Sequence, residues 1–256
     1  ANDRAIVLKL LGVTEDDLKN YTVTTITNAD EHKYLDSYLS KSVIGTRALS
    51  SVLVKGKTDG SGIKVTTYNI TYCTTGMYQN ALATAGIEDA EIVVAGPYNI
   101  SGTAALVGAI KSYENMTGET VSQENVDTAT NELVVTGKLA ESVGDSDKAE
   151  QLVGAVKEQV VEGSDNGKEL TEEEIGNVVD QAAQEMDVQL SDEDRQEIVD
   201  LMDKIKGLDI DVDSLKEQAK DLYDKIDDLG LKLDWNQEKV QGFFSKIIEF
   251  FKNLLS

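Results

Sequence analysis

The stretch TRALSSVLVKGKTDGSGIKVTTYNITY, residues 46–72, decides the fold. Two runs rich in β-branched residues, 46–55 and 63–72, read as strands. Between them GKTDGSG (56–62) carries turn residues, so the pair is expected to close as a hairpin. Working outward, YTVTTIT (21–27) alternates like a strand, and Asn28 with Glu31 resembles a helix start, followed by Leu35, Tyr38 and Leu39 at helical spacing. A first helix is expected over residues 1–12, closed by Gly12, and Thr14 with Asp17 has the spacing of a capping box. Downstream, Thr75 is placed to cap a helix over 77–85 that ends at Gly86. EIVVA (91–95) is a fourth strand, stopped by Gly96 and Pro97, and Ser101 opens a helix over 103–113. The order from Tyr21 is β-α-β-β-α-β and then α, so the expected fold is α+β, with a ferredoxin-like (split β-α-β) N-terminal domain. A doubly wound parallel sheet is the runner-up, and the 56–62 hairpin argues against it.

Charge divides the chain. Over all 256 residues, 24 Lys and Arg face 47 Asp and Glu, a net of −23. Residues 1–115 hold 10 basic and 12 acidic side chains, and residues 116–256 hold 14 and 35. The reading is an α/β domain over 1–117, followed by an acidic all-α helical region over 118–256. Such a balance excludes nucleic acid as a partner, because phosphate binding needs a basic face. One Cys excludes an internal disulfide, one His excludes a poly-His metal site, and no apolar run is long enough for a membrane-spanning helix.

In the acidic region Ser122 opens a helix to about Val143, and Asp145 or Asp147 opens another to Val161. GSDNG (163–167) is a loop. Further helices are expected near 171–186, 191–206 and 214–229, with capping-box spacings at Thr171 and Glu174 and at Ser214 and Glu217, and a weaker one at Ser191 and Asp194. The last helix, 237–255, is amphipathic: Val240, Phe243, Phe244, Ile247, Ile248, Phe251, Leu254 and Leu255 share one face. Three fates are open to that face: a groove of its own chain, another subunit, or a membrane interface. The acidity of the preceding helices disfavours the last.

Chemistry has few candidates. His32 and Asp36 lie one helical turn apart beside Glu31, a set able to hold a metal or form a base. The bland alternative is an acid-rich helix N-terminus. The backbone N–H groups of Ser101, Gly102 and Thr103, between a strand and a helix, are placed to cradle an anion, although neither the Walker nor the dinucleotide glycine spacing is present. Asp209, Asp211 and Asp213 imitate the opening of a calcium loop but lack its glycine and terminal glutamate, so they read as capping residues. Cys73 reads as core packing. No cofactor is implied.

NADEHKYLDSYLS (28–40), IGTRALSS (44–51), MYQNALATAG (77–86) and SGTAALVGAIKSYE (101–114) resemble the YpuA-like family, secreted proteins of Gram-positive bacteria with a domain of unknown function. The resemblance is densest over 1–115 and implies export, with a secreted or cell-surface location, but no reaction. Family members carry a further strand-like segment upstream of the helix that begins here at Ala1. The expectation is a processed, truncated or naturally shorter chain, with a sheet edge left open for another strand.

The leading expectation is therefore a secreted, non-catalytic interaction or structural protein. It would self-associate, or bind another extracellular protein, through an open sheet edge and the apolar C-terminal helix. One alternative is a cell-surface binding module for calcium, a small anion or a glycan. Another is a surface enzyme using His32 with Asp36 or Glu31.

Overall fold

The computed structural model describes residues 2–58, 60–165, 170–212 and 215. The architecture is α+β. A small sheet of three strands, β1 (Ser51–Gly56), β2 (Ile63–Ile70) and β3 (Ala90–Ile100), is accompanied by α1 (Asn2–Leu11), α2 (Asn28–Leu35), the short α3 (Lys41–Ile44), α4 (Thr75–Thr84) and α5 (Ala104–Thr117). The acidic part contributes α6 (Gln123–Val143), α7 (Ser146–Asp165), α8 (Glu172–Glu185) and α9 (Asp192–Ile205). Among these residues no helix is long and apolar enough to cross a membrane. The helices expected over 214–229 and 237–255, including the Val240–Leu255 face, lie outside the described residues.

The sheet corrects the hairpin. Strand order is β1-β3-β2, with β3 between the two strands of the opening stretch, antiparallel to β1 and parallel to β2. The glycines at 56–62 do reverse the chain, but over the end of β3 instead of into a paired partner. Asp89, just before β3, anchors this crossing: its carboxylate accepts from the backbone N–H of Gly60, Ser61 and Gly62 at 3.0, 2.7 and 2.8 Å. β3 is the most apolar of the three strands, and the central position buries both of its faces. The split four-stranded arrangement does not form among the described residues. Residues 21–27 make no ladder; instead Thr24 accepts from Asn115 of α5 at 2.8 Å and Ile26 packs on the core, so their β-branched alternation is spent crossing a helix. Strand propensity reports a preference for extended backbone and does not supply an edge to pair with.

β3 also runs past Pro97. Tyr68 pairs with Ala95 but Ile70 pairs with Ile100, so β3 carries extra residues in a bulge. Asn69 has φ +57 and donates from its side chain to Gly96 O at 2.9 Å. Proline, which has no N–H to give, is tolerated in such an irregularity.

Val52 and Val54 of β1 pair with Val94 and Ile92 on the face that α5 covers, where a Cβ on Gly108 would lie 3.1 Å from Val52. Leu53 points the other way and is buried apart from the main core, as is Val7 of α1, which lies against β1 and β3. The main core runs without a break from the sheet through α4 into α6, α7, α8 and α9, across the change of composition at 117–118.

Helix starts follow polar signals closely. Capping boxes form at Thr171 with Glu174 and at Ser191 with Asp194, and Ser122 caps α6. Two starts fall one residue earlier than expected: Thr27, paired with Asp30, caps α2, and Thr74 caps α4.

Helices α4 and α7 are buried on nearly every side, and their polar groups face one another. Lys157 of α7 pairs with Glu132 of α6 at 2.9 Å, both side chains almost wholly out of water. Its ammonium also donates to Asn80 O at 2.8 Å and to Thr84 Oγ1 at 3.2 Å, and Thr84 bonds to Glu132. Burial lowers the Lys157 pKa and the Glu132 charge opposes that shift. At the start of α4, Thr74 donates to the carboxylate of Glu150, which sits so close to Gly76 that a Cβ there would lie 2.3 Å from the carboxyl carbon.

Candidate functional site

The chain segments after β2 and after β3 leave the sheet at the same end, because the two strands are parallel. Each leads into a helix, β2 into α4 and β3 into α5. In open α/β sheets that end, at the carboxyl termini of parallel strands, is where ligands lodge. A cavity of about 480 Å³ lies there. Thr71 and Tyr72 follow β2, and Ser101, Gly102, Thr103 and Ala104 follow β3; the opposite wall is Ser42–Arg47 with Leu49 and Ser50, ahead of β1. Its volume falls within the range of small-molecule sites.

Glu31 of α2 reaches this cavity and is only 2% exposed. The Thr103 hydroxyl donates to its Oε1 at 2.6 Å, and Asn28 Nδ2 donates to its Oε2 at 3.2 Å. Burial raises the Glu31 pKa; the two hydrogen bonds and nearby His32 oppose the rise. Arg47 lines the cavity from an exposed position and donates to the Tyr98 hydroxyl at 3.1 Å. Ser50 adds a buried hydroxyl with no hydrogen-bond partner among the described residues.

The back wall is rigid. Gly102 has φ +91, and a Cβ there would come within 2.6 Å of both Ile70 and the Tyr78 hydroxyl, so only glycine fits. Tyr78 donates to Gly102 O at 2.6 Å. Behind it, burial pushes the Cys73 thiol up to about 12, which leaves the side chain as neutral core packing. Burial also raises Tyr72 to about 12. The Tyr72 ring runs toward α6, where a Cβ on Gly137 would lie 2.3 Å from its hydroxyl.

The structure joins two sequence candidates that had seemed separate and splits one that had seemed whole. Glu31 turns inward to Thr103, while His32 and Asp36 pair with each other at 2.6 Å nearer the surface. Among the described residues no group of three or more His, Cys, Asp or Glu side chains is placed to hold a metal. Ser101, Gly102 and Thr103 do line the cavity, but α5 begins only at Ala104 and Thr103 already serves a carboxylate, so an arriving anion would face Glu31. Asp209 and Asp211 follow α9; Asp213 lies outside the described residues. Sequence reasoning missed Arg47, Ser50, Thr71, Tyr72 and Asn99 as cavity residues. The available signal was the parallel pairing of β2 with β3, which the hairpin reading hid.

Residues 1–222 match the family model described as "Protein of unknown function (DUF1002)". The chain belongs to this family. It is also 38% identical over 217 residues to "Uncharacterized protein YpuA" of Bacillus subtilis (strain 168), an alignment covering 85% of this chain and 72% of that protein. No solved structure matches the chain. The DUF1002 match spans the sheet, the cavity and α6 to α9 alike.

Proposed function

We propose that this member of the DUF1002 family is a secreted, non-catalytic binding module that holds a small polar ligand in the cavity beyond β2 and β3. One observation carries the reading: a buried carboxylate, Glu31, is held by Thr103 at the wall of a cavity that sits where the parallel strands end. His32, the imidazole that a catalytic reading needs, does not line the cavity. Secretion rests on the family resemblance. Ligand-observed NMR of the full chain with a mixture of small polar compounds tests the reading. Hits that are lost in Ser101→Trp, which fills the cavity, support it; hits that persist unchanged in that variant contradict it.

A second reading has its own observation. β1 and β2 each pair only with β3, so both outer edges lack a strand partner among the described residues. Tyr68 of β2 is also exposed. Such edges favour strand addition from a second copy or another extracellular protein. Light scattering at high concentration, on the full chain and on a form without residues 237–256, tests it. A strict monomer in both forms contradicts self-association.

A further inference from the structure

We infer that the cavity selects a small ligand that presents a protonated primary amine to Glu31 and carries hydroxyl groups along the Ser- and Thr-lined walls. The inference rests on the reading of the cavity as a ligand site and names the class of ligand. Glu31 is the most buried charged group there, and each carboxylate oxygen accepts one hydrogen bond, from Thr103 and from Asn28. A carboxylate oxygen accepts two, so both keep acceptor capacity. An ammonium meets it with a charge-assisted bond, about twice as strong as a neutral one. An anion would instead bring a second negative charge against the first.

Among apolar side chains the surrounding walls carry the hydroxyls of Ser42 (bonded to Ser40), Ser50, Thr71 (donating to Ile100 O) and Ser101 (beside Thr103), with the Asn99 amide. Ser50 has no partner of its own among the described residues. These groups suit the hydroxyls of a polyol and add no charge. Among the described residues Arg47 is the one cation that lines the cavity; it is exposed and donates to the Tyr98 hydroxyl instead of pairing with Glu31. Calcium fits less well: it takes six to eight oxygens, usually with several carboxylates, and among the described residues Glu31 is the one acid on the cavity wall.

Other titratable groups near Glu31 are His32 on its own helix, Tyr72 and Arg47 on the cavity wall, and Cys73 and Tyr78 behind it. Burial keeps the Cys73 thiol and the Tyr78 hydroxyl neutral at working pH. Glu31 is then the acid on the cavity wall that the test addresses, and His32→Gln removes the imidazole beside it.

Calorimetry on the full chain with D-glucosamine, D-glucose, inorganic phosphate and calcium chloride, at matched ionic strength, tests the inference. Glucosamine is expected to bind at least about tenfold tighter than glucose, equivalent to about 1.4 kcal/mol. Phosphate and calcium are expected to give no heat. The preference disappears in Glu31→Gln and survives in His32→Gln. In the wild type it weakens as pH falls toward 4, a readout that stands even if Glu31→Gln fails to fold. Tighter binding of phosphate, displacement of glucosamine by calcium, a preference unchanged in Glu31→Gln, or no binding by any probe overturns the inference. If glucose and glucosamine bind equally and Ser101→Trp abolishes both, the amine is wrong and the cavity is still a binding site. If both bind equally to Ser101→Trp as well, the cavity reading fails too.

Discussion

The Thr103 hydroxyl donates to Glu31 Oε1 at 2.6 Å and so ties α2 to the start of α5 across 72 residues of sequence. This bond closes one wall of the cavity around a carboxyl whose pKa burial raises above its ordinary 4.5. A carboxyl with a raised folded value binds its proton more tightly in the native state. Its ionisation therefore weakens the fold as pH rises from the unfolded value through the folded one. Glu31→Gln is neutral throughout and lacks that loss. The stability of Glu31→Gln relative to wild type, from urea unfolding, should rise between pH 4 and pH 7. A flat difference would mean that Glu31 is not held in a desolvated site.

Lys157 and Glu132 make a second prediction, about the core. Removing one partner strands the other in the interior. Lys157→Met should therefore destabilise the chain by about 3–5 kcal/mol. Adding Glu132→Leu should recover more than half of that loss, because the uncompensated charge goes with it. Denaturant midpoints of the two variants decide; a double variant as weak as the single would show that the Asn80 and Thr84 bonds, not the ion pair, matter most.

At the start of α4 two effects oppose each other. Alanine is a better helix former than glycine by about 0.8–1 kcal/mol. A Cβ at position 76, however, would lie 2.3 Å from the Glu150 carboxyl carbon, and that carboxylate is held by Thr74. Overpacking of this kind costs about 1–3 kcal/mol, so Gly76→Ala should be net destabilising. In Gly76→Ala/Glu150→Ala the obstruction is gone, and the combined loss should be smaller than the sum of the two single losses. Additive losses in a double-mutant cycle would refute the contact.

Asp89 should behave as the pin of the 57–62 crossing. Asp89→Ala removes the acceptor for three backbone N–H groups. Amide hydrogen exchange at Gly60, Ser61 and Gly62 should accelerate, with a loss of about 1.5–3 kcal/mol in stability. Exchange at the centre of β3 should follow only that global loss. Unchanged protection at the three amides would contradict the assignment.

Much of the fold was legible locally. The spacings Thr171 with Glu174 and Ser191 with Asp194 name helix starts because a hydroxyl and a carboxylate three residues apart satisfy each other's backbone donors. β1 and β2 were visible as β-branched runs. Their partner was not, because turn residues at 56–62 record that the chain reverses and not which strand it returns beside. Residues 21–27 failed in the same way: an extended preference is local, whereas an available edge is a property of the whole sheet. Pro97 read as a stop because the bulge that admits it depends on Asn69, far off in sequence. Within the site, Ser101, Gly102 and Thr103 were found from their place between strand and helix. Glu31 was found too, but grouped with His32 and Asp36, its neighbours on the helix, and nothing in the local spacing shows that it turns toward Thr103 instead.

The cavity between the β2 and β3 termini and the wall ahead of β1 is proposed to bind a small molecule. Methyl-resolved NMR of the full chain, titrated with small polar compounds and D-glucosamine among them, tests this most directly. Saturable shifts are expected at Val43, Ile44, Leu49, Ile100 and Ala104, the methyl-bearing aliphatic residues of the cavity wall. Shifts absent there, or confined to remote methyls such as those of Ile198 and Leu201 in α9, would contradict it.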